Sequence, residues 1–280
     1  MTVTTGARVT IGQLEVSADR AANLVTVGAA FREAARVRAD LLVLPEYAAA
    51  FDPRGTGVEH AEPLDGRFVT TLRRLAREHG VAAIAGTLVP GTAGRAVNVV
   101  VAVDACGELV GTYRKVHLYD AFGHRESDRL DAGDPAAPPL VLHVGDLTFG
   151  VMTCYDLRFP ESARRLVDAG ADVLVVPAAW AAGDLKADQW RTLARARAIE
   201  NTAVVLAVGQ AGRGVTGRSL LVGPDGQVGV ELGERAELRS ADLDPAALAS
   251  VRERNPSLAN RRYAVVPRVA ASSEGSGTGR

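Results

Sequence analysis

Apolar residues recur along this chain in two alternating periods. Val9 to Leu14 reads as a strand, and from Asp19 to Arg38 the residues Leu24, Val27, Phe31, Ala34 and Val37 return at helical spacing. Leu41 to Leu44 is a short apolar strand stopped by Pro45. Phe68, Leu72, Leu75 and Ala76 mark a second helix, with Gly80 as its C-terminal cap. Val81 to Thr87, Val97 to Val103 and Leu109 to Tyr113 read as strands, the last two joined by a turn at Asp104 and Gly107. The order then repeats. An apolar strand ends at Cys154, a helix spans Pro160 to Asp168, and a strand from Asp172 to Val176 is stopped by Pro177. A long helix from Asp184 to Asn201 and a strand from Ala203 to Val208 follow. Fully apolar strands between helices predict a sheet covered by helices.

After residue 210 the pattern changes to hairpins. Strands at Ser219 to Val222, Gln227 to Glu231 and Ala236 to Ala241 come with a Pro224-Asp225-Gly226 turn, and Asp244-Pro245 opens a short helix. Residues 1–270 read as one domain, and 271–280 as a flexible polar tail.

Composition narrows the classes. Of 280 residues, 47% are hydrophobic and 23% charged, and the formal net charge is −1, which recommends neither nucleic acid nor an anionic surface as partner. No stretch reaches the ~20 apolar residues of a membrane span, and Met1 to Thr10 lacks an apolar signal core. The expectation is a cytoplasmic protein, with no membrane partner. Two cysteines make no disulfide framework, and neither the cysteines nor the five histidines show metal-ligand spacing, so no metal or other cofactor is expected.

Chemistry concentrates where strands end. Cys154 follows the run Leu147 to Thr153 and opens Cys154-Tyr155-Asp156-Leu157-Arg158-Phe159-Pro160-Glu161. A strand that delivers a thiol to a sharp turn before a helix presents a nucleophile, and a helix N-terminus favours its thiolate. Two further strand ends carry Leu44-Pro45-Glu46-Tyr47 and Tyr113-Arg114-Lys115-Val116-His117. If these meet, Glu46 takes the thiol proton, Cys154 attacks a carbonyl, and Lys115 with the Tyr155 N–H stabilises the oxyanion. Lys115 is one of only two lysines, the other being Lys186, against a background of arginine. Trp180, Tyr47 and Phe122 are candidates for the pocket wall. Cys106 in its turn is expected to be idle, and His117 and His143 structural. Asp156 and Glu161 are expected to hold Arg158 or the Arg164/Arg165 pair, and Arg191, Arg195 and Arg197 to expose a basic helix face.

The three segments, in this order, resemble the nitrilase superfamily of carbon–nitrogen hydrolases over roughly residues 9–265. The likeness extends to Arg195 to Asn201, Ser219 to Gly226 and Asn260 to Tyr263. It implies an α/β fold, an αββα four-layer sandwich, with Cys154, Glu46 and Lys115 as the triad. It also implies a second glutamate, placed at Glu126, that positions substrate and holds the lysine. The segment after Cys154 resembles the Nit-type amidases, which hydrolyse a small amide to acid and ammonia through a thioester. The stretch His117 to Glu126 departs from the ω-amidase and deaminated glutathione amidase patterns and leaves the substrate open. Nitrile or N-carbamoyl hydrolysis on the same site, or a catalytically silent binding homologue, are the alternatives. The resemblance further implies a homodimer or higher homo-oligomer, with a small amide and water as the reacting partners.

Overall fold

The computed structural model describes residues 6–268; the tail at 271–280 lies outside them. In chain order the elements are β1 (Ala7–Gln13), α1 (Arg20–Arg36), β2 (Leu41–Val43), α2 (Arg67–His79), β3 (Ala82–Pro90), β4 (Ala96–Val103), β5 (Leu109–Arg114), β6 (Val141–Val144), β7 (Leu147–Val151), α3 (Pro160–Asp168), β8 (Val173–Ala178), α4 (Lys186–Asn201), β9 (Val204–Gly209), β10 (Leu220–Val222), β11 (Val228–Glu231), β12 (Glu237–Leu243) and α5 (Pro245–Arg254). Local signals set the helix ends. The Asp19 carboxylate accepts from the N–H groups of Ala21 and Ala22 to cap α1, and Gly80 closes α2 in the left-handed conformation.

Two six-stranded mixed sheets result, ordered β12-β1-β2-β3-β4-β5 and β11-β10-β9-β8-β7-β6. Side chains alternate across each strand, so strands buried on both faces feed two cores. In β3, Ala82 and Ile84 face the second sheet, packing with Phe149, Val151, Val175 and Leu206. Ala83 and Ala85 face the other way, toward Phe31 of α1 and Leu72 of α2. On the far side, Leu174 and Val176 of β8 pack with Leu166 of α3 and Trp190 of α4. The layers therefore run helix, sheet, sheet, helix, as expected. Among the described residues no helix is long and apolar enough to cross a membrane.

Three details differ from the sequence reading. β6 is four residues long, with only Leu142 buried and His143 exposed, too short a pattern to stand out. β12 is not part of a hairpin with β11. It crosses to the first sheet and pairs antiparallel with β1 along its whole length, Ala7 opposite Leu243 and Gln13 opposite Glu237. The strand before Cys154 ends at Val151, and a 3₁₀ turn, Cys154–Arg158, comes before α3.

Candidate active site

The parallel strands end at one edge of the sandwich, and the polar residues of the three segments gather there. Glu46 sits in the turn after β2, Lys115 directly after β5, and Cys154 three residues beyond β7. Tyr47 and Cys154 both hold positive φ, +57° and +47°. Such backbone costs roughly 1–3 kcal/mol for a residue with a Cβ, and it clusters at functional sites. At Cys154 it is held by a capping box. The Asp156 carboxylate accepts the Thr153 N–H at 2.9 Å, and the Thr153 side chain accepts the backbone N–H three residues on.

Glu46 and Lys115 are each 1% exposed. The Lys115 ammonium donates to Glu46 Oε1 at 3.0 Å and to Glu126 Oε1 at 3.0 Å, with Glu126 Oε2 at 2.9 Å. Glu46 Oε1 also accepts Asn98 Nδ2 at 2.6 Å, Oε2 accepts the Ala179 N–H at 2.7 Å, and the Glu46 carbonyl accepts Gln210 Nε2 at 2.7 Å. Glu126 is fixed by the Tyr47 hydroxyl at 2.6 Å and the Tyr119 N–H at 2.7 Å. Buried charges are tolerable only when partnered and hydrogen-bonded in this way.

The electrostatics follow from burial. Burial alone would push the Lys115 ammonium down, but the Glu126 and Glu46 carboxylates outweigh it and hold it well above the usual lysine range. Burial pushes the Cys154 thiol well up, the hydrogen-bonded Glu46 adds to this, and Lys115 opposes it. The sequence expectation of a favoured thiolate is therefore corrected. The resting nucleophile is a neutral thiol beside a carboxylate, because desolvation and Glu46 outweigh the Lys115 charge.

Cys154, Glu46, Lys115 and Glu126 line one cavity of about 310 Å³ with Tyr47 and Trp180. The Tyr155 backbone stands at the first turn after the thiol, where helical N–H groups lack intrahelical partners. Phe122 departs from expectation. It is 63% exposed and not part of the cavity lining; its ring instead sits 3.2 Å from the Lys186 ammonium at the rim. Asp156 does not hold an arginine. It is fully buried and accepts the Tyr113 hydroxyl and His117 Nδ1, each at 2.7 Å, tying the Lys115 loop to the Cys154 turn. Arg164 and Arg165 donate to backbone carbonyls instead. On α4, Arg191 and Arg195 are exposed, but Arg197 is buried and pairs with Glu200.

Asn98, Gln210, Tyr119 and Lys186 were not singled out. Asn98 had a signal, as the lone polar residue in the apolar run Val97 to Val103; Lys186 had its rarity.

The chain belongs to the carbon–nitrogen hydrolase family, which residues 8–253 match. A deaminated glutathione amidase of Escherichia coli O157:H7 is 40% identical over 258 residues, covering 91% of this chain and 97% of that protein. Among solved structures, a CN-hydrolase superfamily protein from Xanthomonas campestris, with an arsenic adduct in its active site, superposes with a TM-score of 0.82. It is 28% identical and covers 94% of this chain and 100% of that one. An amidase variant from Nesterenkonia sp. AN1, in which acrylamide has added to the active-site cysteine, gives a TM-score of 0.73. It is 28% identical, with 91% and 98% covered.

Proposed function

We propose that this protein is an amidase that hydrolyses a small amide to a carboxylic acid and ammonia or an amine, through a thioester on Cys154. The observation that carries the reading is the buried cluster in which Glu46 reaches both the Cys154 thiol and the Lys115 ammonium.

Glu46 accepts the thiol proton as Sγ attacks the amide carbonyl carbon. The charge on the former carbonyl oxygen falls to the Lys115 ammonium and the Tyr155 N–H. Glu46 returns the proton to the nitrogen as the C–N bond breaks, leaving the acyl group on sulfur. Water then enters, Glu46 takes its proton, the oxygen attacks the thioester, and the carboxylic acid leaves as Sγ regains a proton. A thiol that rests neutral suits this sequence, since it carries its proton to the base at the moment of attack. Glu126 keeps the ammonium charged and aimed. The amidase names among the relatives support the reaction class.

The test is intact-mass spectrometry of acid-quenched enzyme during turnover of a small primary amide. The reading predicts a mass increase of one acyl group located on the Cys154 peptide and discharged by hydroxylamine. Turnover with no acyl adduct, in wild type or in a variant slowed in the water step, contradicts it.

A further inference from the structure

The two oxyanion donors come from opposite sheets. Lys115 follows β5 of the first sheet, and the Tyr155 N–H belongs to the turn after β7 of the second. Each is held on its own side, the Lys115 ammonium by two glutamates and the Cys154 turn by its capping box. Their spacing from each other is a separate matter, and the Asp156 side chain spans it.

The buried Asp156 carboxylate accepts four hydrogen bonds, three from the stretch around Lys115 and one from the cysteine turn. Oδ1 takes the His117 backbone N–H at 3.2 Å and the His117 ring at Nδ1 at 2.7 Å. Oδ2 takes the Tyr113 hydroxyl at 2.7 Å and the Thr153 N–H at 2.9 Å. The Tyr113 hydroxyl accepts the Val116 N–H at 3.3 Å in its turn. Tyr113, Val116 and His117 bracket Lys115, as Thr153 and Asp156 bracket Cys154 and Tyr155. Burial pushes the Tyr113 hydroxyl well above the usual tyrosine range, and the Asp156 charge adds to this, so it stays a donor.

A buried carboxylate is costly, and a simple mechanical tie could be neutral. Four donors need an acceptor-only group, however, and an asparagine would turn its NH₂ on those at one oxygen. A carboxylate that only accepts also fixes the tautomer, with the ring proton on His117 Nδ1. The His117 ring lies flat on Phe159, with centroids 3.7 Å apart and planes 8° from parallel, and Phe159 meets the Tyr155 ring edge-on at 5.3 Å. The loop that carries Lys115 is thus tied twice to the turn that carries the Tyr155 N–H.

We propose that Asp156 and His117 are positioning residues that hold the Lys115 ammonium and the Tyr155 N–H in register around one oxygen. The pair then governs attack on a carbonyl and leaves the thiol's own reactivity alone, a division that rests on the proposed amidase chemistry. An oxyanion hole works when its donors sit about 2.7–3.1 Å from the position the oxygen takes only in the tetrahedral state. Sliding one sheet edge against the other by a fraction of an ångström takes one donor out of reach. Alkylation by iodoacetamide makes no oxyanion, since Sγ displaces iodide at a saturated carbon.

The experiment uses the whole protein as wild type, Asp156→Asn, His117→Leu, His117→Asn and Tyr113→Phe, with a urea melt of each. Alkylation by iodoacetamide at one fixed pH is read on the Cys154 peptide, apart from the exposed Cys106. It is then repeated under increasing propanal, whose protection gives the dissociation constant of the aldehyde. Propanal adds reversibly. Sγ bonds the carbonyl carbon, the thiol proton passes to Glu46, and the carbonyl oxygen keeps the electron pair between Lys115 and the Tyr155 N–H. His117→Leu and Asp156→Asn should each weaken propanal about tenfold or more, with alkylation in its absence within about threefold of wild type. His117→Asn keeps a donor near the place of Nδ1 and should recover part of the affinity, and Tyr113→Phe should weaken propanal less than His117→Leu. On any amide that wild type turns over, kcat should fall with KM nearly unchanged. Equal propanal affinity in wild type and in folded His117→Leu and Asp156→Asn proteins overturns the proposal. So does failure of propanal to protect wild type, or a fall in alkylation that matches the loss of aldehyde and marks a site disturbed as a whole. Propanal binding that the variants lose, in a wild type that releases no ammonia from any amide, upholds the positioning pair and overturns the amidase reading alone.

Discussion

Cys154 and Lys115 are both buried, and their partners turn burial to opposite ends. Two carboxylates keep the ammonium charged against desolvation, while the same two, Glu46 foremost, add to desolvation in keeping the thiol protonated. The thiol's pKa lies well above its ordinary value of 9.0. A group whose folded pKa is raised gains thiolate only as pH climbs past that ordinary value. Alkylation of Cys154 by iodoacetamide should therefore keep accelerating through about pH 10, where a free thiol levels off. A plateau reached below about pH 8 would contradict this account of the site. The residues named from sequence, Glu46, Lys115, Glu126 and Cys154, are brought together by the fold. What the sequence did not convey was the sign of the thiol's shift, because that depends on which charges reach it through three dimensions. Nor did it convey Asn98 in β4, Gln210 just after β9 and the backbone N–H of Ala179 just after β8, which together hold Glu46.

At the level of elements, the site depends on how closely β3 passes the turn that carries Glu46. Gly86 of β3 accepts no side chain there. A Cβ at this position would lie 2.5 Å from the Glu46 Cα and 2.7 Å from the Tyr47 N, both backbone atoms. Gly86→Ala must displace the turn, and with it the carboxylate that faces Cys154 and Lys115. We expect a fall in kcat/KM of about 100-fold, since a shift of ~1 Å in a catalytic group costs on that order. The accompanying stability loss should be about 1–3 kcal/mol, as for other overpacking changes. Steady-state kinetics beside a urea melt checks both, and near wild-type kcat/KM in a folded variant would contradict it. Most elements were legible because their periods and stops are local: the Asp19 cap, the Gly80 cap, Pro160 opening α3. β6 and the partner of β12 were not. The first is short and half exposed, and the second is a pairing between residues more than 220 positions apart, Gln13 with Glu237 and Ala7 with Leu243, which no local pattern encodes.

Across the whole molecule, two sheets pressed face to face bring strand ends from both to one edge. Glu46 and Lys115 come from the first sheet and Cys154 from the second, so the site exists only when the inter-sheet core is formed. The fully apolar strands between helices predicted a helix-covered sheet, and the four-layer stacking of two sheets was an expectation from the family resemblance. The resemblance of three separated segments then supplied what spacing could not, namely that they converge. The actual partners of Lys186 and Arg158, the Tyr119 hydroxyl and Gln189 Oε1, escaped the sequence reading because they are a property of the assembled cavity. The central claim is that amide hydrolysis runs through Cys154. Its most direct test is ammonia release from a panel of small primary amides, neutral and carboxylated, by wild type and Cys154→Ala side by side, with the melting curves of both. The account predicts ammonia from at least one amide class with wild type and a loss of about 10⁴-fold or more in a folded Cys154→Ala protein. Undiminished ammonia release by the Cys154→Ala protein would contradict it.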